Sequence, residues 1–256
     1  MRGPPDGDGE PRAGQLDLDL AGDVSGLPRS LRPMLARPVG DAFDSAEHLF
    51  EPRWGGRRTL AFIDSGRAGR EARLRLIDDG GRDIAPRLPE LWGLPDLVGD
   101  LPVILDGEVV IPDTWGRLDE AALRSRLADG TATASAPVFL VFDMPWVAGR
   151  PIIAQPLARR VDHLRRLVHP SPELVVVPGL VGDGLDLYSA VVQQGLAGVM
   201  ARHLRSPYLP GRRSDLWRWI SARPGERPLH VVPPDALDAA SPRPVLALIQ
   251  RLSLDD

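Results

Sequence analysis

The chain has 256 residues, 43% of them hydrophobic, and sets 31 cationic against 35 acidic side chains for a formal charge of −4. That balance argues against a protein that coats nucleic acid non-specifically, and the absence of cysteine excludes disulfides, thiolate zinc sites and a cysteine nucleophile. No run of 18 apolar residues is present, and the N-terminus MRGPPDGDGEPR has no apolar signal core, so a cytoplasmic protein is expected. All of the cationic residues are arginine: no lysine amine exists to attack a carbonyl carbon or a phosphorus.

Residues 1–30 are rich in Pro, Gly and Asp without sustained periodicity, and read as a disordered acidic tail. Order is expected from about Leu31, over a domain spanning 31–222. Strands are predicted at 59–63, 73–77, 102–111, 138–143, 173–178, 198–204 and 216–221, with Gly80-Gly81 as the turn that ends the second. Helical patterns cover about 118–128, 154–168 and 185–195. In the middle one Leu157, Val161, Leu164 and Leu167 recur at helical spacing, and the last stops at Gly195. Strands outnumber helices and no regular βαβ alternation is visible, which favours an α+β fold of antiparallel sheets. Residues 223–256 form a Pro-rich tail in which Val245–Ile249 is the one candidate for a terminal helix.

Three short stretches invite a chemical reading. Glu51-Pro52-Arg53-Trp54-Gly55-Gly56-Arg57-Arg58 places two glycines and three arginines before the apolar strand at 59–63. That is either a plain turn among solvated cations or a nucleotide site that has lost its reactive residue. Asp106-Gly107-Glu108 sits inside an apolar run and reads in isolation as a simple turn between strands, and Asp143 closes the run Val138–Phe142 as a buried strand ending at a polar residue. A local basic stripe at 202–227 sets Arg202, Arg205, Arg212, Arg213, Arg218, Arg223 and Arg227 against Asp215 and Glu226. If its arginines converge on one face they suit phosphate; if they pair with those acids they are a solvated surface. Trp54, Trp217 and Trp219 read as core residues first and as base-stacking residues second.

In series these stretches say more. Arg32-Pro33-Met34-Leu35-Ala36 is followed by the 50–58 motif, Arg75-Leu76-Ile77, Gly81-Arg82-Asp83, Pro89-Glu90-Leu91 and Leu105-Asp106-Gly107-Glu108. Val141-Phe142-Asp143, Gly195 to Arg202 and Ser206 to Trp217 complete the order. The series resembles the adenylation (nucleotidyltransferase) domain of bacterial ATP-dependent DNA ligases of the end-joining type, over about residues 31–221. The resemblance implies an ATP-grasp-like nucleotidyltransferase fold and an activity that uses ATP and Mg²⁺. It also implies nucleotide contacts from Glu51, Arg58, Glu108, Phe142 and Arg202, and DNA contacts from Arg205, Arg212, Arg213 and Arg218.

The departures from the family pattern are as informative. The family's first motif reads Lys-x-Asp-Gly-x-Arg, its lysine attacking the α-phosphorus of ATP. Here Arg53 stands at the lysine position and Gly55 at the aspartate. A guanidinium stays protonated at physiological pH and offers no lone pair for attack. The family's Ser-Arg pair is Asp78-Asp79, its metal-linked glutamate is Ala197, its phosphate-binding lysine is Arg202, and both lysines of its last motif are gone from Trp217-Arg218-Trp219-Ile220-Ser221. The 35 residues after Ser221 are too few for the OB-fold domain that follows in the ligases. The expectation is therefore a ligase-like protein without catalytic activity, with ATP and Mg²⁺ bound weakly or not at all, and with DNA or a DNA-repair protein as partner. The alternatives are an active ligase using another nucleophile, for which His203 is the histidine beside a family motif, and a protein-interaction scaffold.

Overall fold

Two β-sheets pack face to face, and the chain passes between them within three residues. The computed structural model describes residues 26–66 and 71–222. Most of the acidic tail expected at 1–30, the whole Pro-rich tail, the helix expected at 245–249, and Arg223, Glu226 and Arg227 lie outside the described residues.

In chain order, β1 (Leu35–Val39) and β2 (Ser45–Arg53) lead to β3 (Arg57–Asp64), β4 (Arg73–Asp78), three short 3-10 turns between residues 85 and 97, and β5 (Val103–Val110). Helix α1 (Glu120–Asp129) is capped by Asp119, whose carboxylate accepts from the Ala122 amide at 2.9 Å. Next come β6 (Val138–Val147), β7 (Arg150–Pro151), α2 (Leu157–Leu167), β8 (Leu174–Val176) and β9 (Leu180–Gly182). Helix α3 (Gly184–Gln193) receives its cap from a distance, because Asp44 accepts from the Leu185 amide. Strands β10 (Gly198–His203) and β11 (Arg213–Ser221) finish the domain.

The first sheet has the order β1-β11-β10-β2-β9, and the second β4-β3-β5-β6-β7 with β8 beside β6. Pairing is antiparallel except for β1 with β11 and β6 with β8. The seven strands and three helices expected from sequence are all present. Strands β1, β2, β7 and β9 were not anticipated, and for the first two the reason is local. β2 carries Glu47, His48, Glu51 and Pro52, and β1 carries Pro38, a residue that normally demotes a strand to an edge position. β1 is indeed an edge strand, whereas β2 is held between β10 and β9.

One core cluster lies between the sheets, where Phe50, Leu60, Phe62, Leu140, Val199 and Trp217 meet. A second covers the far face of the six-stranded sheet, packing Ile63, Leu105, Phe139 and Val141 against Leu123 of α1 and Leu164 of α2. With both of its faces covered, β5 is buried at every position, which is why its sequence reads as an unbroken apolar run rather than an alternation. Asp106-Gly107-Glu108 is therefore strand interior and not a turn. A register irregularity at Asp106 and Gly107 marks a bulge against β6, and a Cβ on Gly107 would stand 2.4 Å from the Leu140 carbonyl oxygen.

Asp143 likewise does not close its strand, because β6 continues to Val147. The charge is tolerated there because Arg160 of α2 grips it with two bonds of 2.9 Å, both side chains being fully buried. The same guanidinium donates to the carbonyls of Gln155 and Ser206, so one residue ties helix, sheet and loop together. Removing one member of such a pair strands the other charge in a dry interior. Arg160→Ala is expected to lower unfolding free energy by about 3–5 kcal/mol, and the apolar double variant Arg160→Met/Asp143→Leu to lose less than either single change. Urea midpoints of the three proteins check both expectations.

Candidate functional site

The crossing between the sheets is the Trp54-Gly55-Gly56 turn, since β2 belongs to the first sheet and β3 to the second. The glycines have a structural cause. Gly55 has φ +81°, and a Cβ on Gly56 would lie 2.3 Å from the Val109 carbonyl oxygen. The exposed amides of this turn need an acceptor, and Glu108 supplies it. Its Oε2 accepts from the Gly55 and Gly56 amides at 3.0 Å each, while Oε1 accepts from Arg53 Nε at 3.1 Å. Arg53 also lies 4.7 Å from the centre of the Trp219 ring and is 29% exposed. Its guanidinium is thus fixed between a carboxylate and an indole.

Two residues before Glu108, on the same side of β5, Asp106 makes the second polar knot. Arg58 donates to both of its oxygens, at 2.6 and 2.7 Å, and Tyr208 Oη donates to Oδ2 at 2.7 Å. Tyr208 in turn accepts from the Met34 amide at 3.1 Å. Burial opposes the charge on Arg58, but Asp106 outweighs it and holds the guanidinium above its ordinary pKa. Burial, reinforced by Asp106, pushes the Tyr208 phenol well above its ordinary value, so it serves as a permanent donor.

The third knot is Glu51 with Arg202, cross-strand neighbours of β2 and β10 that are both buried and form an ion pair. Arg202 also donates to the Phe142 carbonyl at 3.3 Å. Desolvation brings its pKa down to about 9, which leaves it charged at neutral pH. The Phe142 ring receives two guanidinium groups, Arg58 at 4.6 Å and Arg202 at 4.4 Å, and both also approach Trp217, at 5.7 and 5.0 Å. Glu51, Arg53, Trp54, Glu108, Phe142 and Arg202 together line a cavity of only about 10 Å³. That is the room of one water molecule, where ligand pockets measure some 300–1,000 Å³.

The structure thus brings five expected nucleotide contacts, Glu51, Arg58, Glu108, Phe142 and Arg202, into one region with Arg53; Glu51, Arg202, Phe142 and Arg58 touch in series, and Glu108 is bonded to Arg53 and the turn amides. Ala197 stands against the crossing turn, its amide donating to the Arg53 carbonyl at 3.0 Å. The acids at 78 and 79 do not point free charge at a phosphate path. Asp78 is buried, caps its own turn and grips Arg82 at 2.8 and 3.0 Å, which together lower its pKa despite burial, and Asp79 pairs with Arg57 at 3.1 Å. His203 sits across the β2–β10 pair from His48, with ring centres 5.2 Å apart, away from Arg53 at the other end of that pairing.

Among the described residues, the arginines of the basic stripe make no ion pair with its Asp215. Asp215 bonds Arg37 at 2.7 Å; Arg213 donates to the Ala36 carbonyl, and Arg218 donates to the Asp215 carbonyl and lies 5.3 Å from the Phe43 ring centre. Arg205 and Arg212 are exposed and have no acidic partner among the described residues. Sequence reasoning missed the roles of Asp106, Tyr208 and Met34. The available signal was Asp106 in an otherwise apolar run, since a carboxylate there requires a buried cation and a donor.

A fold of this kind, with its cleft at the crossing turn, defines a class. A family model described as ATP dependent DNA ligase domain matches residues 33–220, and the chain belongs to that family. It is 31% identical over 189 residues to the multifunctional non-homologous end joining DNA repair protein LigD of Mycobacterium tuberculosis, covering 73% of this chain and 23% of that protein. It is 28% identical over 188 residues to the SPbeta prophage-derived DNA ligase-like protein LigB of Bacillus subtilis, covering 72% of this chain and 65% of that one. Among solved structures, mycobacterial DNA ligase D complexed with ATP and MES superposes with a TM-score of 0.63 at 29% identity, over 75% of this chain and 60% of that chain. The chain therefore spans about a quarter of the length of LigD, and the fold is that of a ligase adenylation domain.

The Asp106 knot yields a stability test. Tyr208→Phe removes one donor to a buried carboxylate and leaves the Met34 amide without its acceptor, which is expected to cost about 1–3 kcal/mol. A chemical denaturation midpoint shifted down, with far-UV circular dichroism unchanged, is the expected result.

Proposed function

We propose that this chain is a non-catalytic member of the ATP-dependent DNA ligase family, one that keeps the fold but neither adenylates itself nor joins DNA. The carrying observation is Arg53 at the nucleophile position, fixed by Glu108 and Trp219 beside a cavity of about 10 Å³. Nucleophilic attack needs a free lone pair near the phosphorus, and a guanidinium held by a carboxylate has none to offer.

The rest of the cleft supports the same reading. Phosphoryl transfer depends on positioned cations and a metal held by carboxylates. The described residues contain no group of three or more His, Asp or Glu that could hold a metal ion, and Ala197 stands where the family has a carboxylate. The groups the resemblance assigns to ribose, phosphate and purine each have partners within the protein: Glu108 the turn amides, Arg58 Asp106, and Arg202 Glu51 over Phe142. A nucleotide would have to break these contacts and open several hundred Å³. Trp54 Nε1, Trp219 Nε1 and Arg202 Nε are buried donors without a hydrogen-bond partner, and Glu51 Oε2 is a buried acceptor engaged through its ion pair with Arg202. On this account ATP and Mg²⁺ do not fit the residues present.

The partner on this reading is DNA or a DNA-repair protein, through the surface that carries Arg205, Arg212, Arg213 and Arg218. No acid among the described residues neutralises any of the four, which favours phosphate contact over a self-paired surface. LigD is a DNA repair protein by name, and that is the relative whose role is carried over here.

Incubation with ATP and Mg²⁺ followed by intact-mass spectrometry is expected to show no gain of an adenylyl group. A covalent adduct would overturn the reading. Arg53→Lys alone is expected to restore no sealing of nicked duplex. Gly55 and Ala197 pack so closely that a Cβ on residue 55 would come within 2.9 Å of the Ala197 Cβ, so the missing carboxylates have no room without repacking. Detectable ligation by that single variant in a gel assay would contradict this.

A further inference from the structure

Away from the cleft, a groove of about 600 Å³ runs between the segment that enters β1 and the turn after β4, with Gly211 at its border. Its volume lies in the range that holds small ligands. Its walls are chemically uneven. Leu31, Pro33, Leu35 and Ile77 supply an apolar surface, and Arg29, Arg32 and Arg75 also line it.

The charge in this groove is one-sided. Its two acids are already neutralised, Asp78 by Arg82 and Asp79 by Arg57. Arg29 and Arg32 are exposed and have no acidic partner among the described residues. Arg75 donates to the carbonyls of Arg29 and Pro28, at 3.0 and 3.5 Å, and stacks 4.5 Å from the Phe62 ring centre, so its charge is held in place without being cancelled. Three like charges along one concave wall, in a chain whose net charge is −4, create a local positive potential that a bound anion would relieve. Guanidinium forks match the oxygens of a phosphoryl group, and the apolar wall suits a compact carbon body.

We propose that this groove binds a small organic phosphate, its phosphoryl oxygens on Arg29, Arg32 and Arg75 and its apolar body on Leu31 and Ile77. The site is separate from the cleft at Arg53, so it stands or falls independently of the catalytic reading. The competing occupants are a nucleic-acid backbone and the chain's own acidic stretch, which carries Asp17, Asp19 and Asp23 shortly before Gly26.

Isothermal titration of the full chain at low salt with phenyl phosphate, and separately with inorganic pyrophosphate, tests it. Both probes are expected to bind with Kd below about 1 mM, and binding should weaken as salt rises. Arg29→Gln/Arg32→Gln, two surface changes that disturb no internal bond, is expected to weaken both by about tenfold or more. Arg205→Gln should leave them unchanged. The proposal fails if neither probe binds, or if the double variant binds as well as the parent protein. It also fails if only duplex DNA shows the Arg29/Arg32 dependence, or if the probes bind only after Asp17, Asp19 and Asp23 are changed to Asn.

Discussion

Charges enclosed between two sheets must be answered from within the protein, and that constraint organises this molecule. Asp106, Glu51 and Arg202 are buried, and Arg58 partly buried, in or beside the interface between the five-stranded and six-stranded sheets, where burying an unpaired ion costs several kcal/mol. Each finds its counter-charge across a strand pair: Arg58 with Asp106 between β3 and β5, Glu51 with Arg202 between β2 and β10. The Arg202 bond to the Phe142 carbonyl links one sheet to the other, and Tyr208 ties Asp106 to the loop before β11. The seam between the two sheets is thereby tied by bonds of its own.

That closure explains how the aromatic residues are used. Phe142 and Trp217 meet edge-on with ring centres 6.5 Å apart, and the two buried guanidinium groups lie close to both rings. A planar cation over an aromatic face occupies the kind of space a base would take, and it carries its charge without needing water. Arginine at position 202 therefore does more than stand in for a lysine. Its longer planar head reaches Glu51 and the Phe142 carbonyl together, which a point-like ammonium on a flexible stem does less well.

Much of the architecture was legible in the residues. β5, β6 and α2 announced themselves through apolar runs and helical spacing, and the motif order from Arg32 to Trp217 pointed to the ligase adenylation fold that the structure adopts. Legibility failed where a local rule met a tertiary exception. Pro52 sits in a strand flanked on both sides, and Asp143 continues its strand because Arg160 arrives from a helix 17 residues later. Asp78 and Asp79 looked like charge aimed at a ligand, yet each had a neighbouring arginine that the fold brought within 3.1 Å.

The sequence alone determined what chemistry is missing: without a lysine, no ε-amine can form a phosphoramidate anywhere in the chain, however it folds. It also determined the family, because a long ordered series of short motifs survives the loss of several members. Only the tertiary structure decided what the surviving polar residues do instead. Pairing across strands depends on register and on the three-residue crossing at Trp54–Gly56, and neither is a property of any one segment. Glu108 could become the acceptor for the Gly55 and Gly56 amides, and Asp106 the anchor for Arg58 and Tyr208, once β5 lay beside β3 with its carboxylates turned toward the opposite sheet.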